Sequence, residues 1–145
     1  MDSLQYGSIV VVFCVLLVGC TAPSAPSSPS TTVSGDTITL QPGESETANV
    51  EATNVVRMRF GFPRRASGVD FAIRDATVEP SPDFVAESYP PVWNWNSPRA
   101  SVTVDVPVSV AANATAGTYH YPVTVWNDSV QGDAVTGNVT VIIET

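Results

Sequence analysis

The chain of 145 residues contains no lysine, one histidine and two cysteines. Each shortage closes off a class of chemistry. With His120 alone and no cysteine beside it, neither a His/Cys metal set nor a Cys–His nucleophile pair can be assembled, and neither Gly-x-Ser-x-Gly nor His-Glu-x-x-His occurs. All six cations are arginines, at positions 57, 59, 64, 65, 74 and 99, set against fourteen acids for a net charge of −8. A net anion lacks the phosphate-neutralising patch that nucleic acid requires, so that partner is excluded. Asp70, Asp75, Glu79 and Asp83 form the only acid-rich window, and they match no calcium-loop pattern. The expectation is a protein without catalysis, cofactor or metal.

Long apolar runs are missing too. The one uninterrupted run begins at Ile9 and closes at Leu17-Val18-Gly19-Cys20. At about a dozen residues it suits a signal-peptide core and falls short of the ~20 that a spanning helix needs. Leu17, Val18, Gly19 and Cys20 resemble the lipobox of bacterial and archaeal lipoproteins. That resemblance implies cleavage before Cys20, a lipid of diacyl or archaeal diether type on its thiol, and attachment to the extracytoplasmic face of the cell membrane. Cys14 fits less well, because Phe13 puts a bulky ring where a small residue belongs. Met1 to Ser8 departs from the pattern by carrying no Arg or Lys. An uncleaved N-terminal anchor is the competing reading, and it leaves the protein on the same face. Once Cys14 is removed, Cys20 is the only thiol, so the mature domain has no disulfide.

Residues 1–19 are thus read as signal peptide and 20–35 as a lipidated Cys followed by a Pro/Ser/Thr-rich tether. Pro23, Pro26 and Pro29 bias that tether toward extended, disordered chain. Residues 36–145 form one domain. The lysine-free, acidic composition resembles surface proteins of halophilic archaea, because molar salt shortens the Debye length to ~3 Å and screens acidic self-repulsion. An ordinary acidic extracytoplasmic protein is the plainer alternative.

The domain reads as all β. Thr37 to Leu40 alternates, and Gln41-Pro42-Gly43-Glu44 suits a type II turn. Further strands are predicted over 47–51, 55–62, 69–73 and 76–78. The stretch with Pro80, Pro82, Pro90, Pro91 and Pro98 is too proline-dense for a central strand and is expected to be loop. Val102, Val104, Val106, Val108 and Val110 then keep strict period two, as do Tyr119 to Val125 and Val135 to Ile143, with a turn at Gln131-Gly132-Asp133. About seven strands in an antiparallel β-sandwich follow. The segment from Val106 through Asn113, Gly117 and Tyr119 to Val125 resembles CARDB-like and NPCBM-associated Ig-like modules of prokaryotic surface proteins. It implies an Ig-like sandwich in which Tyr119 is a corner residue, ring in the core and hydroxyl bonded to loop backbone.

Two kinds of surface site are expected. Asn113, Asn127 and Asn138 each head an Asn-x-Ser/Thr sequon at a loop or on an outward register, accessible to N-glycosylation in a host that performs it. Tyr89, Trp93, Trp95 and Trp126 are candidates for a platform that stacks on a glycan or partner. Trp93 and Trp95 share one side of an extended segment, with Asn94 and Asn96 opposite. The alternative is that the indoles plug the end of the sandwich. Arg57 and Arg59 read as the wet face of a strand. The functional expectation is a lipid-anchored surface protein whose domain binds or assembles, with an envelope glycan or surface protein as partner. The alternative is an accessory subunit of a surface transport or hydrolase complex.

Overall fold

The computed structural model describes residues 23–62, 68–128 and 133–145. Cys20 and residues 1–19, Arg64, Arg65, and Gln131 and Gly132 of the expected turn lie outside the described residues. The described strands number nine, not seven: β1 (Thr32–Gly35), β2 (Thr37–Leu40), β3 (Ser45–Phe60), β4 (Val69–Phe71), β5 (Thr77–Glu79), β6 (Phe84–Ala86), β7 (Val92–Val110), β8 (Gly117–Trp126) and β9 (Ala134–Ile143).

Period two sets the core. Val102 to Val110 on even positions of β7 are at most 4 % exposed, and Tyr121, Val123, Val125, Val139, Val141 and Ile143 repeat this on β8 and β9. No polar or charged residue is buried among the described residues. The aromatic part of the core is built on Phe60, whose ring lies 5.5 Å from Phe71 and meets Trp93 edge-on at 5.7 Å. Phe71 in turn stacks on Tyr121 at 4.5 Å.

Two long strands hold both layers. β3 and β7 pair antiparallel from Ser45↔Ser109 to Arg59↔Val92. Their register breaks where Val55 faces Arg99 and Arg57 faces Asn94, so β7 carries three residues more than β3 across the break. Asn54, at φ 53°, turns the chain immediately before it, a left-handed conformation that Asn tolerates better than most residues. Below the break, β3 and β7 are flanked by β1 on one edge and by β4 and β5 on the other. Above it, the order is β2-β9-β8-β3-β7-β6. The strands expected over 47–51 and 55–62 are therefore one strand with a bend.

Proline does not keep the stretch expected to be loop out of the sheet, for the same reason. Pro98 lies in the excess residues of the β7 break, where no ladder bond is lost. Pro107 lies deeper in β7, yet its carbonyl accepts from Ala72 N–H at 3.0 Å, so its own nitrogen faces the gap between β4 and β5. The segment 69–73 also shortens: Phe71 ends β4, and a 3₁₀ turn occupies Ile73–Asp75. The turn at Gln41–Glu44 forms as expected, with Glu44 N–H donating to Gln41 O and Gly43 at φ 89°.

The chain enters by switching layers. Residues 32–35, read from the sequence as tether, form β1 against β3, so the sheet begins before 36. Asp36 makes the switch: its N–H donates to Asn49 O and its carboxylate accepts from Asn49 N–H, while its carbonyl accepts from Thr140 N–H, each at 2.9 Å. β2 then runs parallel to β9, the one exception to an otherwise antiparallel fold among the described strands. The switch brings backbones into contact at Gly35 and Gly137. A Cβ on Gly35 would sit 2.5 Å from Asn138 O, and one on Gly137 would sit 2.9 Å from Val33 O. Gly35→Val is expected to cost about 2–3 kcal/mol by forcing β1 from β9. Urea unfolding of the purified variant checks this, and a loss below about 1 kcal/mol contradicts the close approach.

Candidate binding surface

The expected indole platform does not form. Trp93 and Trp95 do share one side of β7, and that side is the core: they are 5 % and 3 % exposed. Trp95 Nε1 donates to Pro80 O at 3.1 Å, which satisfies the one polar atom of its ring. Asn94 points the other way, accepting from Arg57 Nε at 3.1 Å. Trp126 is half-buried on the outer face, opposite Arg57 in the β3–β8 register. The guanidinium carbons of Arg57 and Arg59 lie 5.9 and 5.7 Å from its ring centre.

Tyr89 alone of the four expected aromatics is fully at the surface, and it has company the sequence did not single out. Phe62 and Phe84 are 66 % and 63 % exposed, and Val85 and Tyr89 are exposed beside them. The Phe62 and Tyr89 rings are 6.3 Å apart, and Arg74 lies 5.4 Å over the Tyr89 ring. The segment from Phe84 to Val92 organises this edge. β6 pairs with β7 through Phe84↔Asn94 and Ala86↔Val92, which turns Phe84 outward alongside Asn94. Three shallow hollows adjoin along it. One takes in Arg74, Val85 and Glu87; a second Phe84, Asn94 and Val56; a third Arg59, Phe62 and Tyr89. One signal for Phe84 and Val85 was available: two adjacent apolar residues in extended chain cannot both face a core.

The edge lies across the sandwich from the entering chain. β1 and β2 occupy one margin of the two layers, and β4, β5 and β6 the other. On the entry margin, Asn54 Nδ2 donates to Pro29 O at 2.9 Å and Thr53 Oγ1 to Ser30 O at 3.2 Å, so the tether is held to the domain before β1 begins.

The remaining expected sites are dispersed. Asn113, Asn127 and Asn138 are all exposed, on the β7–β8 loop, at the end of β8 and on β9. Tyr119 donates its hydroxyl to Thr115 O at 2.8 Å, the corner bond expected, though its ring is half-buried rather than enclosed. His120 Nδ1 lies 3.1 Å from Thr140 Oγ1. Asp83 pairs with Arg99 at 3.2 Å and also accepts from Asn96 N–H. Among the described residues no three His, Cys, Asp or Glu side chains converge as a metal site would require.

The fold defined by these layers is a β-sandwich of Ig-like type. No protein-family model matches the chain, and no curated protein does. Among solved structures, the sixth cohesin of scaffoldin B from Acetivibrio cellulolyticus, determined in complex with a dockerin mutant, is similar at a TM-score of 0.50 and 12 % identity, over 79 % of this chain and 99 % of the cohesin. A non-cellulosomal cohesin from the archaeon Archaeoglobus fulgidus reaches 0.44 at 9 % identity, over 79 % of this chain and 91 % of its own. A family 123 glycoside hydrolase from Clostridium perfringens reaches 0.41 at 11 % identity, over 79 % of this chain and 27 % of the enzyme. At 12 % identity the likeness to the first of these is one of fold alone.

Two outcomes follow from the burial pattern. Trp93→Ala should cost about 3–5 kcal/mol, whereas Trp126→Ala should cost about 1 kcal/mol or less. Equal losses by chemical denaturation contradict the assignment of one ring to the core and the other to the surface. Tyr121 supplies the second. Its hydroxyl is buried without a hydrogen-bond partner among the described residues, and burial, with lesser contributions from Tyr119 and Asp70, pushes its pKa up to about 12 from the ordinary 10. The unfolded chain therefore loses this proton first, and stability should fall as pH rises from 10 toward about 12. Tyr121→Phe should be neutral or stabilising at pH 7 and should flatten that alkaline decline, as read by unfolding at pH 7 and pH 11.

Proposed function

We propose that this is an exported, lipid-anchored surface protein whose Ig-like sandwich acts without catalysis, by binding another protein. The observation that carries the reading is the exposed aromatic edge of Phe62, Phe84, Val85 and Tyr89, on the margin opposite the tethered strand β1. Exposed rings concentrated in one place are the usual mark of an interaction surface. An anchored domain needs such a surface turned away from its point of attachment. A protein partner is preferred to an envelope glycan because Trp93 and Trp95, the rings best suited to sugar stacking, are buried. The fold shared with the dockerin-bound cohesin is in keeping with this role.

The anchor itself rests on Leu17-Val18-Gly19-Cys20 and on the Pro/Ser tether that follows. The net charge of −8 without lysine suits a high-salt exterior, and Asn113, Asn127 and Asn138 are available to a glycosylating host.

One preparation tests both parts. A photo-crosslinking residue replacing Phe84 in the membrane-bound protein should give a discrete protein adduct, and the same residue replacing Thr39 on β2 should not. Intact mass of the membrane-extracted chain should begin at Cys20 and include a lipid. Equal crosslinking from both positions contradicts the binding edge; a mass retaining Met1 contradicts the processing.

A further inference from the structure

The aromatic edge carries two of the six arginines of a chain whose net charge is −8. With fourteen acids and six arginines, every cation has carboxylates to spare, and Arg99 takes one, Asp83, at 3.2 Å. Among the described residues Arg59 and Arg74 take none. Arg59 faces Thr124 and Val92 across its two neighbouring strands and has no ion pair among the described residues. Arg74 shares its hollow with Glu87 and follows Ile73 into the 3₁₀ turn beside Asp75, yet forms no ion pair with either. The segments 63–67 and 129–132 contain no acid that could serve instead.

Both arginines rest on rings: Arg59 at 5.7 Å from the centre of Trp126, and Arg74 at 5.4 Å from that of Tyr89. A guanidinium held over an aromatic face keeps the edge of its planar fork free, and that edge matches a carboxylate in two parallel hydrogen bonds. The ring contact therefore leaves each cation's hydrogen bonds unused. Between and beside them lie Phe62, Phe84 and Tyr89. The two phenylalanines add exposed apolar area without a polar handle, which suits an apolar side chain as complement.

We infer that this edge docks an acidic segment of a partner polypeptide, with Arg59 and Arg74 each receiving a carboxylate and the exposed rings covering apolar side chains between the acids. The inference rests on the reading of the edge as a protein-binding surface and adds the chemistry of the partner.

The test uses the full chain and three defined probes at 0.1 M salt. The first is a twelve-residue peptide alternating Glu with Leu and Phe; the second replaces each Glu with Gln; the third is polygalacturonate. Calorimetry should show the Glu peptide binding at least tenfold more tightly than the Gln peptide, and more tightly than polygalacturonate. The double variant Arg59→Gln/Arg74→Gln should lose that preference, its Glu-peptide binding falling to the level of its Gln-peptide binding. Arg59→Lys/Arg74→Lys should restore it only in part, because an ammonium cannot present the fork. Phe84→Ser should weaken both peptides. Equal binding of the two peptides overturns the carboxylate role while leaving a protein-binding edge. Polygalacturonate binding as tightly as the Glu peptide overturns the polypeptide partner in favour of an anionic polymer. Binding of neither peptide, or a preference that survives in the double Gln variant, overturns the inference; the crosslinking from Phe84 then judges the edge separately.

Discussion

The continuous pairing of β3 with β7 is the constraint on which the remaining structure depends. Because both strands bend at one level, each contributes a lower half to one layer and an upper half to the other. The two layers are consequently joined by covalent chain and by a ladder that resumes on the far side of the break, with hydrophobic contact only one of the forces between them. That suits a domain without disulfides, whose core is mostly valine. A fully buried valine contributes about 1.5 kcal/mol or somewhat more, so many are required, and the long strands supply them in register. β1, β4, β5, β6 and β8 each pair with one of these two; β8, which β3 positions through Arg57↔Trp126 to Phe60↔Val123, carries β9, and β9 carries β2.

The same bend shapes the candidate surface. Above it, β7 presents Val92, Trp93, Asn94 and Trp95 between β3 and β6, with the tryptophans inward and Asn94 outward. The excess residues of β7 at the break let its alternation change parity, from odd positions buried at Trp93 and Trp95 to even positions buried from Val102 onward. Arg57 and Arg59 follow from the matching half of β3, where Met58 and Phe60 go inward. One irregularity thus sends the indoles into the core and leaves arginines, Asn94 and Trp126 on the outer face.

What the sequence disclosed divides along the same line. Period two was legible over Val102 to Val110, Tyr119 to Val125 and Val135 to Ile143 because each has one dry side throughout. The all-β class and the Pro42-Gly43 turn followed from local chemistry, and the Tyr119 hydroxyl bond from the Ig-like resemblance; all three are present. The unity of β3 was hidden because Val55 and Val56 are both buried at the bend, which breaks the alternation that identifies a strand. β6 was hidden because its three residues are strand only through pairing with β7. For Trp93 and Trp95, alternation states that they share a side; which side is dry depends on Phe60, distant in sequence. The open edge was missed for a related reason, since exposure of Phe62 and Phe84 is a property of where the sheet ends.

The attachment of the entering chain has a mechanical consequence. Residues 29 and 30 are bonded to Thr53 and Asn54, β1 runs antiparallel along β3, and β2 continues parallel along β9. A pull on the chain ahead of Thr32, directed along these strands, meets their ladder bonds side by side. All must give together, because shear offers no end from which to peel them. Asp36, bonded to Asn49 on one side and Thr140 on the other, divides that load between the two layers at the point where the strand passes from one to the other.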